Sequence, residues 1–282
     1  MTPALVAARA GLSRGRIEFK QTLTTPGDLI AILVTTGSLL AVMIWTRHTT
    51  VPGMRFSLGT TTLVSVLGLN VVVYGFITTG DLLVTEREDG TLLRAKAIPH
   101  GMLGYLVGKV VNISGQIVFT VAITLLAGAF LFTGLTLGSP GSWLTLAWVL
   151  ALGLLATLPL GAVLGSLFSS QRSAGGPMLL LLGGLTAISG IFYPITHLPA
   201  VLQWAGQAFP LYWLGLGMRS ALLPNALATV EVGHSWRHLA TLGVLSAWAI
   251  AGLVLAPVVL RRMARRESGS NVAARREKAM RR

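Results

Sequence analysis

The sequence predicts an all-α membrane protein. It has six transmembrane helices, an N-terminal amphipathic interfacial helix, and a re-entrant helix pair between spans five and six. Three observations carry this expectation. Hydrophobic residues make up 53% of the 282 residues and charged residues 11%, against about 25% charged in soluble domains. Six apolar runs approach or exceed the roughly 20 residues that cross a bilayer core. The basic residues also cluster on one predicted side of those runs. With no cysteine in the chain, a disulfide scaffold and thiolate metal chemistry are excluded. The net charge of +13 reads as topology and not as a nucleic-acid footprint, because of where the charges lie.

Residues 1–24 are not a cleavable signal, which needs an apolar core behind a short basic start. Arg9, Ser13, Arg16 and Lys20 recur at helical spacing opposite Leu5, Ala8, Leu12 and Phe19. This predicts an amphipathic helix on the membrane surface, weakened by Gly11 and Gly15. The first span is expected from Pro26 to Thr46, with Thr25 as N-cap and Asp28 completing a capping box. The others are expected at Ser57–Leu83, Tyr105–Phe132, Trp143–Phe168, Pro177–Phe192 and His238–Leu260. Residues 198–223 are apolar, but Pro210 removes a backbone donor and disfavours helix at Phe209. Each half spans about 15–20 Å of helix, too short to cross. The reading is therefore an outer re-entrant pair, with Pro199, Pro210 and Arg219 as candidate gate residues.

With six spans, all but four of the 22 lysines and arginines fall on the side of the termini. The exceptions are Arg47, Arg55, Arg219 and Arg237. This bias predicts cytoplasmic termini, and a seventh span would place the basic tail outside. The three regions are then 1–24 (surface helix), 25–260 (transmembrane domain) and 261–282, a basic tail suited to anionic lipid.

Catalytic motifs fail. Residues 104–109, GYLVGK, lack both the first glycine and the Ser/Thr of a phosphate loop. Glu231, His234 and His238 read as an outer polar rim rather than a metal site. Asn70, Asn112 and Gln116 are candidates to line a pathway, with interhelical hydrogen bonding as the plainer role. Gly161 and Gly165 in span four and Gly183 and Gly184 in span five predict close-approach surfaces, and short, glycine-rich span five is a candidate pathway wall or dimer seam, with ordinary helix packing as the alternative. No catalytic residue, metal site or cofactor is expected in this chain.

The loop at 85–104 is the most informative segment. Gly90 breaks an acidic run, Thr91–Ile98 can form two helical turns, and Pro99 ends them. Leu92 and Leu93 give that helix an apolar side, and Arg94 and Lys96 give it basic points, as suits docking in a partner's groove. The run EREDGTLLRAKAIPHGMLGYLVGKV resembles the E-R-E-x-G-T-L…P…G-K segment of ABC-2-type transporter permeases. Residues 189–224, SGIFYPITHLPAVLQWAGQAFPLYWLGLGMRSALLP, resemble the S-G-x-x-x-P…L-P…P-[LF]…R segment of the same family. The resemblance covers about residues 10–262 and is closest to the drug- and antibiotic-resistance type.

The resemblance implies the membrane subunit of an ATP-driven exporter in a bacterial cytoplasmic membrane. It implies two permeases, identical or related, paired with separate ATP-binding subunits that hold ATP and magnesium. It makes Glu86, Arg87, Glu88, Gly90, Thr91, Leu92, Arg94, Lys96 and Pro99 the candidate ATPase-coupling interface. Membrane lipid is an expected partner and nucleic acid is not. Few polar groups in apolar walls suggest an amphipathic or hydrophobic substrate. A stand-alone carrier or channel, or a lipid-modifying membrane enzyme, is the rival reading. His100 after the proline, and the basic Arg94 and Lys96, depart from the family pattern.

Overall fold

A computed structural model describes residues 2–45 and 57–266 of the protein. Arg47, Arg55 and residues 267–282 of the basic tail lie outside the described residues. Among those described, every helix or strand element is helical. In chain order they are α1 (Pro3–Thr24), α2 (Pro26–Trp45), α3 (Leu58–Glu88), α4 (Thr91–Ala97), α5 (Gly101–Leu131), α6 (Pro140–Ser166), α7 (Gln171–Ile188), α8 (Ala200–Ala208), α9 (Pro210–Leu222) and α10 (His238–Arg266). Short 3₁₀ turns lie at Ile195–His197, Asn225–Val230 and Val232–His234, between α7 and α10.

Five of these, α2, α3, α5, α6 and α10, are long and apolar enough to cross a membrane. The expected fifth span, α7, has 18 residues, or about 27 Å. It begins earlier than Pro177. Ser170 and Ser173 form a reciprocal capping box that starts the helix at Gln171 and leaves Pro177 inside it. Thr25 stands at the N-cap of α2, its carbonyl accepting from the Leu29 N–H, while its hydroxyl donates to the Gln21 carbonyl (2.8 Å) at the end of α1. Its position four residues beyond Gln21 favours this back-bond.

The core is built on α3. From Gly59 to Val72 all but one residue is buried, and α9 and α6 pack on it. Between Val73 and Thr78 the helix widens into a π-turn, and the Thr79 hydroxyl donates to the Tyr74 carbonyl. The widened stretch meets α6 at glycines. A Cβ on Gly161 would stand 1.9 Å from the Gly75 oxygen, and one on Gly165 would stand 2.5 Å from the Gly80 oxygen. Gly161 and Gly165 are thus close-approach positions, as expected of small residues spaced by four. Gly183 and Gly184 instead have open space around them within this chain.

Pro210 divides residues 198–223 into two helices, as expected. Phe209 is extended, φ −102° and ψ 153°, and Pro210 opens α9. Nearly all of α9 is buried, which removes it from contact with lipid. The junction is tied to α10 by the Trp248 indole, which donates to the Ala208 carbonyl, and by Phe209 stacking on Trp248.

Candidate coupling site

The described chain places α4 at the tip of α3 and the start of α5. Gly90 takes a left-handed φ of 81° ahead of α4, a conformation that suits glycine. The Asp89 carboxylate accepts from the Thr91 N–H at 2.8 Å, holding the first turn. Ile98 is extended before Pro99, so the helix ends where the proline forbids its continuation. Gly101 follows, and a Cβ there would lie 2.2 Å from the Ala95 oxygen.

The candidate coupling residues divide into two sets. Leu92 and Ala95 are buried and join Leu83, Tyr105, Ala256, Leu260 and Met263 in one cluster. The apolar side of α4 therefore faces this chain's own α3, α5 and α10. Arg94, Lys96 and Pro99 are exposed on the other side, with Ile98 and His100 beside them. Thr91 is partly exposed, and its hydroxyl accepts from Arg94. Glu88 and Gly90 are likewise partly exposed. Arg87 donates to the Phe168 carbonyl at 3.1 Å, tying the end of α3 to the end of α6.

Glu86 is buried within the chain. Its carboxylate accepts from the Tyr105 hydroxyl at 2.6 Å and pairs with Lys109 at 2.6 Å. Lys109 also pairs with Glu18 of α1 at 2.7 Å, and Glu18 pairs with Arg14 at 2.7 Å. Asn112 donates to the same Glu18 oxygen and accepts from Gln116. Two candidate pathway residues thus belong to the seam between α1 and α5. The third, Asn70, is buried in α3.

The alternation of acid and base makes the cluster self-compensating, which a buried charge needs. Burial pushes the Glu18 carboxyl up, but hydrogen bonds from Lys109 and Arg14 outweigh it and hold the pKa below its ordinary value. The hydrogen bond to Glu18 holds the Arg14 guanidinium above its own ordinary value.

Gly11 and Gly15 make the seam possible. A Cβ on Gly11 would stand 2.2 Å from the Gly104 oxygen, and one on Gly15 would stand 2.4 Å from the Gly108 oxygen. Two glycines on each helix let the backbones touch, so residues that lower helix propensity in α1 also let it dock. The network needs three elements at once, and no run of sequence announces it. Charged residues recurring along one face of α1 were the only signal.

On the other side of the fold, Arg219 is buried and doubly bonded to Glu231, at 2.7 and 3.2 Å. Its remaining arm donates to Ser65 of α3 at 2.7 Å. Glu231 is therefore the buried partner of Arg219, the residue expected from sequence to be a gate candidate. Pro199 precedes α8 and Pro210 opens α9. Among the described residues no group of three His, Asp or Glu is arranged to hold a metal.

No curated protein matches the chain. Residues 51–256 match the family described as ABC-2 family transporter protein, a span holding α3 to α9 and most of α10. The chain is a multi-pass membrane protein of the ABC-2 transporter family, the membrane component of a transporter whose family implies an ATP-binding partner subunit.

Proposed function

We infer that the chain is the permease subunit of an ATP-driven exporter and that its partner docks on the outer face of α4. The observation that carries this is the division of α4. Leu92 and Ala95 seat it on the transmembrane helices, while Arg94, Lys96 and Pro99 remain exposed. A helix held on one side transmits a push received on the other. ATP and magnesium are held by the partner, and differential contact with its two nucleotide states supplies the coupling. This chain breaks no bond.

Six crossings with both termini cytoplasmic follow from the basic bias, with α7 as the fifth. A second permease, identical or related, is the partner for α7, where Gly183 and Gly184 face open space and Leu179 and Leu180 are exposed. The cargo is amphipathic or hydrophobic and moves outward, as in the drug- and antibiotic-resistance type, in a bacterial cytoplasmic membrane.

The test is purification of the tagged full chain from its native membrane, with co-eluting proteins identified and ATPase activity assayed. A stoichiometric ATPase that is lost in an Arg94→Glu/Lys96→Glu variant with unchanged membrane insertion supports the reading. A chain that elutes alone, in a detergent that preserves membrane complexes, moves the assignment to a stand-alone carrier.

A further inference from the structure

A cleft of about 460 Å³ opens between α5 and α10, floored by α3 and α6. Its size falls in the range of about 300–1,000 Å³ typical of small-molecule sites. Leu103, Val110 and Leu253 line it and are exposed, so it opens on the outer face of the helices and not toward the core. It runs along α5 from Met102 to Ile113, about 16 Å at 1.5 Å per residue. That is about the depth of one leaflet in a hydrocarbon core of about 30 Å.

Two cations reach it, and they differ. Lys109 is engaged by Glu18 and Glu86. Arg261 sits exposed at the mouth, where α10 leaves the apolar run. An apolar slot of one leaflet's depth, ending at an exposed guanidinium, is complementary to an acyl chain carrying an anionic headgroup.

We propose that this cleft binds an anionic phospholipid from the leaflet on the α4 side, with one acyl chain between α5 and α10 and the phosphate at Arg261. The chain contacts Leu83 and Leu260, which also belong to the cluster that seats Leu92 of α4. Leaflet composition thereby reaches the coupling helix through packing, independently of any ATPase.

The test is native mass spectrometry of the delipidated full-length chain, titrated with phosphatidylglycerol or phosphatidylcholine. Phosphatidylglycerol is expected to be retained several-fold more strongly. Arg261→Gln is expected to abolish that preference, and Arg262→Gln to leave it. Val110→Trp, at an exposed wall position, is expected to reduce retention of both lipids. Equal retention of the two lipids by the wild type overturns the proposal, as does an equal loss in Arg261→Gln and Arg262→Gln, which would mean diffuse attraction. It is also overturned if Val110→Cys forms a disulfide between two copies in the membrane, because a second chain then covers the cleft. The parent has no cysteine to confuse that result. None of these readouts depends on transport or on the ATPase, so they fail separately from the proposed function.

Discussion

The Lys109 ammonium stands 2.6 Å from the Glu86 carboxylate, and this contact fastens the end of α3 to α5, the two helices that α4 joins. Glu18 approaches the same ammonium from α1 at 2.7 Å. One lysine thus holds three elements together. Removing it leaves two largely buried carboxylates facing each other, whereas a buried pair broken on one side typically costs about 3–5 kcal/mol. Lys109→Met is expected to destabilise the chain by an amount of that order, read as a lower melting midpoint in detergent. Adding Glu18→Gln and Glu86→Gln is expected to restore much of the loss. A Lys109→Met midpoint equal to that of wild type would remove the network from the account of stability.

Docking of α1 depends on glycine at positions 11 and 15. Any side chain there meets the carbonyl oxygens of Gly104 and Gly108, and backbone does not yield as a flexible side chain does. Gly11→Leu is expected to cost about 1–3 kcal/mol, the usual range for overpacking. It should also expose α1 to limited proteolysis while the transmembrane helices stay protected. A cleavage pattern identical to wild type would show that α1 is not seated this way.

The Glu18 carboxyl has a lowered pKa in the folded chain, which makes α1 docking dependent on pH. The undocked form takes up its proton first, near the ordinary glutamate value of about 4.3. The stabilisation is therefore complete above that value and is lost as pH falls through the lower folded value. Accessibility of a label on α1 is expected to rise over that acidic window. Glu18→Gln should flatten the profile. A rise that begins near neutrality would assign the effect to another group.

Arg219 and Glu231 form a buried pair that Ser65 completes. Glu231→Gln leaves the guanidinium without its countercharge, and Arg219→Met leaves the carboxylate. Each is expected to cost about 3–5 kcal/mol, and the double replacement by apolar residues much less. Thermal melts of the two singles and the double form the cycle that tests this. Additive losses would count against direct coupling.

Arg87 and Arg94 are both basic and both in the candidate interface, yet their replacement should differ. Arg87 bonds the Phe168 carbonyl, so Arg87→Glu is expected to loosen the junction of α3 and α6 and lower the melting midpoint. Arg94 lies on the exposed side of α4, so Arg94→Glu should leave stability within about 0.5 kcal/mol of wild type, as surface changes do. Equal effects on stability would undo the division of α4 into a seated and an exposed side.

The sequence by itself determined the class of the protein, the placement of most spans and the bounds of the short helix α4. These depend on local properties. Long apolar runs must be helical in lipid, because every backbone group needs an internal partner. Gly90 and Pro99 bound α4 through their own backbone restrictions, and Pro210 splits α8 from α9 in the same way. Only the tertiary structure decided which side of α4 faces the chain, that Glu86 is an internal anchor, and that Arg219 belongs to Glu231. It also turned Gly11 and Gly15 from faults in a helix into the contact surface of α1, and it opened the cleft beneath Arg261. Each of these depends on residues far apart in the chain meeting at a few ångströms. Charge pairing and close packing act over those distances, and periodicity along one helix carries no record of what stands across from it.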